Sequence, residues 1–170
     1  MTCVTVGFVA PPYSQSVERP DQGRGRGTEQ MPDVTVKRVE DFEAIFGGGF
    51  RRARDGLGVS SFGLAVIDLP ANFSHYPEHD QTHDDQEEVY TVLSGRAILH
   101  VGGEEHELEP GVFARVGATE KRKLVTGDEP ARIIAMGGSP GKVYEPPEFS
   151  YEGTKPPSME KLTSKNHAPA

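Results

Sequence analysis

The chain has 170 residues, which suits one domain, and a compact domain of that length buries enough surface to form a core without staples. Its net charge of −8 argues against a nucleic acid partner, and its single cysteine excludes an internal disulfide and a cysteine-rich zinc site. Apolar residues make up 35% of the chain, beside 20 glycines and 14 prolines, which favours a turn-rich β domain with polar tails. The single cysteine fits a reducing cytosol, so we expect a cytoplasmic protein. No apolar run is long enough for a membrane span, so we expect no membrane partner.

The first 30 residues have the composition of a flexible extension. Several prolines and an Arg-Gly run over 22–27 bury little apolar surface and do not offset the entropy of ordering. The apolar segment 4–9 is suited to an edge strand or to pairing with another subunit. Met31 opens a segment typical of a domain start, and one interpretation is that residues 1–30 derive from an upstream start codon.

Local patterns predict short elements at the start of the domain. Residues 34–36 alternate as in a β-strand. The spacing of Phe42, Ile45 and Phe46 predicts a short N-terminal helix over 41–46, which the glycines at 47–49 would end.

From residue 60 onward, short apolar runs alternate with turn residues. The runs predict seven strands, over 62–69, 87–93, 96–101, 104–109, 112–116, 121–125 and 131–136. Gly102-Gly103 is a strong hairpin signal between two of them. Many short strands with little helix predict an all-β sandwich or barrel. We expect one domain over 31–145 and an irregular C-terminal tail over 146–170 whose end is disordered.

Residues 79–95 hold the densest set of groups that bind metals or handle protons. Within them, Glu88 and Gly95 match the second half of the first cupin motif, in which a His-X-His pair precedes a glutamate and a glycine. His83 then takes the place of the second histidine, and Gln81 takes the place of the first. In this way the stretch resembles the cupin superfamily.

A second, looser match lies downstream. In the cupin superfamily a Pro-X-Gly turn precedes a further histidine; here 117–119 takes the turn position and Arg122 takes the histidine's place. The phrases over 77–95 and 137–149 resemble a subgroup of small single-domain cupins that mostly lack an assigned activity. The resemblance implies a double-stranded β-helix, or jelly-roll barrel, and a homodimer.

The resemblance also implies a divalent metal, because two imidazoles and a carboxylate suit iron, manganese, nickel or zinc. His83 and Glu88 would supply one group each, and Gln81 would add a weaker carbonyl ligand from the same face of an extended segment. His79 would face the same side of the extended segment and is a substitute for the missing imidazole. The alternative for His83 is an exposed side chain among its acidic neighbours, and a pocket without metal is also open.

Arg122 makes the metal uncertain, because a guanidinium stays protonated and cannot ligate a cation. Three alternatives are open for it: a buried pair with Glu88, a bidentate contact to an acidic ligand, or a surface position between Lys121 and Lys123. Alternation along the strand sends Glu88 and Tyr90 to one face, so Tyr90 either lines the pocket or packs in the core.

Three functions compete on these residues. The first is a cupin that binds a small molecule, an organic acid, through Arg122, Tyr90 and Glu88, with a weakened metal site. The second is a metal-dependent oxygenase or isomerase acting on such an acid. The third is an interaction module whose tails mediate assembly. No catalytic residue is assigned, and among the other histidines only His75 is a candidate for the pocket edge.

Overall fold

Two antiparallel sheets frame the part of the chain that the structure, a computed structural model, describes, residues 32–158. All the elements lie in the unit Val34–Ala170. The strands are β1 (Ala44–Ile45), β2 (Phe50–Arg51), β3 (Gly63–Leu69), β4 (Glu87–Gly95), β5 (Ala97–Val101), β6 (Glu104–Leu108), β7 (Phe113–Val116), β8 (Arg122–Val125) and β9 (Ala131–Gly138). The larger sheet has the order β1-β2-β3-β9-β4-β7, and the smaller has the order β6-β5-β8.

Strands β3 to β9 are the seven that the sequence predicts, and each lies within two residues of its expected ends. The all-β jelly-roll class is therefore confirmed. The signal was strong because turn residues separate the runs at every step. The Gly102-Gly103 turn, for example, joins β5 to β6 with both glycines in the left-handed region.

The short helix lies further along the chain than its apolar spacing predicted. A 3-10 turn covers Val39–Asp41, and β1 with a second turn at Phe46–Gly48 replaces the helix expected over 41–46. Ile45 instead pairs with Phe50 of β2, so a hairpin contact overrides the local helical spacing. The only α-helix among residues 32–158 is α1 (Ala53–Leu57), which ends at Gly58 in the left-handed conformation.

Residues 34–36, predicted as a strand, are exposed and unpaired with either sheet. The expected extension over 1–30, its apolar segment 4–9 and the C-terminal end over 159–170 lie outside the described residues. No helix among residues 32–158 is long and apolar enough to cross a membrane.

The main core lies between the sheets. Its buried members are Ile67, Leu69, Tyr90, Val92, Ala97, Leu99, Leu108, Val116, Leu124, Ala131 and Ile133. Strand β3 is apolar on both faces because Val66 points the other way, into a smaller cluster with Phe42 and Ala53 of α1. The helix thus covers the outer face of the larger sheet at β3.

Residues from the C-terminal segment pack on this same end of the domain. Arg52 is fully buried and donates from Nε to the Phe149 carbonyl at 2.8 Å and from Nη2 to the Thr154 carbonyl at 2.6 Å. The Phe149 ring lies 5.6 Å from that of Phe50. These contacts hold the 3-10 turn Glu148–Ser150 against β2.

Gly95 closes β4 in a conformation that needs glycine. Its φ is +73°, and a Cβ built there would lie 1.8 Å from the Pro130 carbonyl oxygen. The glycine lets β4 turn into β5 while staying paired with Ala131 at the start of β9. The glycine at the end of the motif is therefore a backbone requirement.

We expect Gly95→Ala to lower the free energy of unfolding by at least about 2 kcal/mol, because the left-handed penalty adds to a clash with fixed backbone. Urea denaturation measures this. The matched control is Gly127→Ala, whose backbone is not left-handed and whose Cβ would meet nothing within 4 Å. The control should stay within about 0.5 kcal/mol of the wild type; equal effects from both changes would contradict the assignment.

Candidate functional site

The Glu88 carboxylate is the centre of the candidate site. Strand β4 presents Glu88, Tyr90 and Val92 inward, as the alternation predicts, and β8 begins with Arg122 on the opposite sheet. Glu88 and Arg122 therefore meet across the space between the sheets, where both are buried.

Four side chains donate hydrogen bonds to this carboxylate. Arg122 donates to Oε2 from Nε at 2.8 Å and from Nη2 at 2.6 Å, and the Tyr90 hydroxyl donates to the same oxygen. The amides of Gln81 and Gln86 donate to Oε1 at 3.1 and 3.3 Å. A carboxylate has about four lone-pair sites, so these five bonds leave it with no spare acceptor capacity.

This environment keeps Glu88 ionised. Burial alone would raise the pKa of its carboxyl, but the hydrogen bond from His79 and the charge of Arg122 outweigh burial and lower the pKa to about 2. Burial and the Glu88 charge raise the pKa of the Tyr90 hydroxyl well above its usual value, so the hydroxyl stays a donor. The pair and its partners thus form a fixed, neutralised network.

A backbone bridge brings His79 beside Arg122. The amide of His79 donates to the Arg122 carbonyl at 3.1 Å, and the amide of Arg122 donates to the His79 carbonyl at 2.9 Å. Directly opposed residues of an antiparallel pair share a face. His79 Nε2 accordingly lies 3.5 Å from Glu88 Oε2, while Nδ1 hydrogen-bonds with the Pro77 carbonyl at 3.1 Å.

His83, expected to face inward, does not reach the centre of the site. Its side chain is 71% exposed, and Nε2 lies 3.4 Å from Asp84. The cause is a turn over 82–85, in which Asp85 has a φ of +58°. The alternation of side chains along β4 therefore does not continue back from Glu88 to His83. The two side chains that approach Glu88 from this segment are His79 and Gln81, two residues earlier than the motif alignment expected.

Gln86 is the main site residue that the sequence analysis missed. Residues 86, 88 and 90 alternate along an extended segment and so face the same side, and this spacing could have indicated Gln86. Its side chain packs over Gly137 of β9, where an added Cβ would lie 2.6 Å from the Gln86 amide nitrogen. Gly137 therefore makes the space that lets Gln86 reach Glu88.

An open cleft leads down to Glu88. Its polar lining residues include His75, His79, Gln81, Gln86 and Glu88, and its apolar lining residues include Leu64, Ile67, Phe73, Tyr76, Ala135 and Met136. Arg122 and Tyr90 are each 1% exposed and lie behind Glu88, outside the lining. The ligand contact expected of these two residues therefore stays a prediction that requires Glu88 to move aside.

The residues around Glu88 do not fit the metal that the resemblance implied. The groups there are the imidazole of His79, the carboxylate of Glu88 with its acceptor positions filled, the amides of Gln81 and Gln86, and the guanidinium of Arg122, which is always positively charged. No group of three His, Cys, Asp or Glu side chains within residues 32–158 converges as a metal site. A dication would have to displace Arg122 from Glu88 against its charge, so no step is assigned to a metal here.

The other two histidines on strands lie away from Glu88 and contact exposed acids. His100 of β5 lies 3.5 Å from Glu105, and His106 of β6 lies 3.7 Å from Glu104. Neither side chain lines the cleft above Glu88.

We expect Glu88→Gln to lower the free energy of unfolding by about 3–5 kcal/mol, because it leaves the Arg122 charge buried without a counter-charge. Adding Arg122→Met should restore much of that loss. Urea denaturation of the two single variants and the double variant measures the coupling. Glu87→Gln is the matched control, since Glu87 pairs with Arg115 at the exposed surface. Additive effects of the two site variants would contradict a coupled pair.

The free energy of unfolding should depend on pH through the ionisation of Glu88. A carboxyl whose pKa is lowered on folding contributes stability above its unfolded value of 4.5, and this contribution is lost as the pH falls toward about 2. The stability difference between wild type and Glu88→Gln should thus be constant above about pH 5.5 and shrink between pH 4.5 and 2. A difference that does not change over that acid range would contradict the lowered pKa.

Comparison with known proteins agrees with this architecture. The cupin domain family model matches residues 67–137. No curated protein matches the chain at a significant level. A cupin protein from Bacteroides fragilis has 20% identity and a TM-score of 0.54 over 74% of this chain and 99% of its own.

Two further solved structures are more distant. A protein from Photorhabdus luminescens has 12% identity and a TM-score of 0.48 over 65% of this chain and 90% of its own. A sugar phosphate isomerase of the cupin superfamily from Silicibacter pomeroyi has 24% identity and a TM-score of 0.46 over 53% of this chain and 59% of its own. The family match identifies residues 67–137 as a cupin domain, and the Bacteroides structure agrees with its fold.

Proposed function

We propose that this cupin domain binds a small, neutral, hydroxyl-bearing molecule in the cleft above Glu88. The observation that carries the proposal is the pair of glutamine amides that Glu88 holds in place. Gln81 and Gln86 both donate to Oε1, so their orientation is set before any ligand arrives.

The orientation of the amides follows from the charge of Glu88. An ionised carboxylate only accepts hydrogen bonds, so each NH₂ group must face it and each carbonyl oxygen must point away. Gln81 and Gln86 then offer the cleft their carbonyl oxygens as acceptors and their remaining N–H bonds as donors, at fixed positions. Hydroxyl groups, which both donate and accept, match such a surface.

The apolar lining residues support the same class of ligand. The rings of Phe73 and Tyr76 line the same cleft as the glutamines, and the Tyr76 ring lies 6.0 Å from that of His79. A lining that combines polar and aromatic side chains suits a molecule with hydroxyls on a carbon frame, such as a polyol or a monosaccharide.

The charge balance favours a neutral ligand over the organic acid expected from the sequence. That expectation assumed a guanidinium free to bind a carboxylate. Arg122 instead donates twice to Glu88 and, from Nη1, to the Glu120 carbonyl at 2.8 Å. An acid would have to compete with Glu88 for this cation.

Binding is also favoured over proton-transfer catalysis by Glu88. A general base works best when its pKa lies near the operating pH. The pKa of Glu88, at about 2, makes its carboxylate a weak base. No observation in the described residues favours the oxygenase or isomerase alternative, and the homodimer and the cytoplasmic location stay predictions.

We expect myo-inositol or D-glucose to bind more tightly than D-gluconate or D-glucuronate, as measured by isothermal titration calorimetry. Gln81→Leu should weaken binding of the better neutral probe at least tenfold, because it removes an oriented amide (about 1.4 kcal/mol). His106→Ala is the control, since His106 is exposed and does not line the cleft. Tighter binding of the acids, or equal affinity in wild type and Gln81→Leu, would overturn the proposal.

A further inference from the structure

We infer that the Arg122 guanidinium takes the place of a metal ion in this pocket: wild-type protein takes no transition metal at Glu88, and replacing Arg122 with histidine opens a metal site. This inference does not depend on which organic ligand the cleft binds. It concerns the cation that the protein itself supplies.

The guanidinium already makes the contacts that a ligated cation would make. It binds Glu88 Oε2 through two nitrogens, at 2.8 and 2.6 Å, and its third nitrogen donates to the Glu120 carbonyl. A permanent positive charge at this distance both neutralises Glu88 and repels a second cation. Arg122 is 1% exposed, so water does not screen that repulsion.

Two groups beside position 122 are already placed as metal ligands would be. Glu88 supplies a carboxylate, and His79 Nε2 lies 3.5 Å from it while His79 Nδ1 hydrogen-bonds with the Pro77 carbonyl. A hydrogen bond of this kind orients ligating histidines in general. Gln81 turns its NH₂ group toward Glu88, so it is not counted as a ligand. The set lacks one imidazole.

Position 122 is the place where that imidazole would fit. The two backbone hydrogen bonds between His79 and Arg122 place their Cβ atoms on the same face of an antiparallel pair. A histidine at 122 would thus stand beside His79, with both rings on the Glu88 side. Two imidazoles and a carboxylate suit divalent transition metals.

Co²⁺ titration followed by its visible absorption tests the inference in the full-length chain. Arg122→His should bind one Co²⁺ with a Kd at least tenfold lower than any site in the wild type. The added affinity should disappear in Arg122→His/His79→Ala, while Arg122→Met, which removes the charge without adding a ligand, should gain no comparable site. Circular dichroism confirms that each variant is folded.

The wild type provides a test that does not rely on the histidine variant. Exposed histidines such as His83 bind Co²⁺ weakly, so wild type and His79→Ala should give the same weak titration. One tight Co²⁺ in wild type that His79→Ala removes would overturn the inference. A folded Arg122→His variant that gains no Co²⁺ site would also overturn it.

Discussion

The buried ion pair between Glu88 and Arg122 is the interaction on which the pocket depends. Glu88 comes from β4 of the larger sheet, and Arg122 comes from β8 of the smaller one, so the pair joins the two layers of the barrel at the bottom of the cleft. Burying two charges costs several kcal/mol for each ion, which is repaid only when the remaining hydrogen-bonding capacity is used. Here Tyr90, Gln81 and Gln86 use it.

This network decides what the neighbouring side chains can do. A protonated Glu88 could donate to an amide oxygen and let the glutamines turn, whereas the ionised form accepts only. The low pKa of Glu88 therefore fixes the orientation of Gln81 and Gln86 as well as its own charge. The specificity that we propose for the cleft thus depends on a carboxylate whose own acceptor positions are occupied by protein donors.

The strands were predictable from the sequence because glycine, proline and acidic turns separate short apolar runs, and each run needs only its own alternation to be recognised. Arg122 facing Glu88 was one of the open alternatives, and the structure selects it. The prediction for His83 was wrong because side chains stop alternating in the strand pattern at the turn over 82–85. Its left-handed residue, Asp85, carries no sequence signal that distinguishes it from Asp84. Gln86 was missed because its role depends on Gly137, fifty-one positions away on β9.

If Arg122 takes the place of a metal ion, as we infer, this barrel keeps its architecture while its internal cation is a side chain. A metal needs several ligands to be in place at once, whereas an arginine carries its charge on the chain and needs one counter-charge and a few acceptors. In this protein the acceptors are Glu88 and the Glu120 carbonyl. On that inference the site has no open coordination positions for metal catalysis, and the organised amides of Gln81 and Gln86 line a cleft with aromatic rings. Recognition of a ligand is therefore the chemistry that we propose for this arrangement.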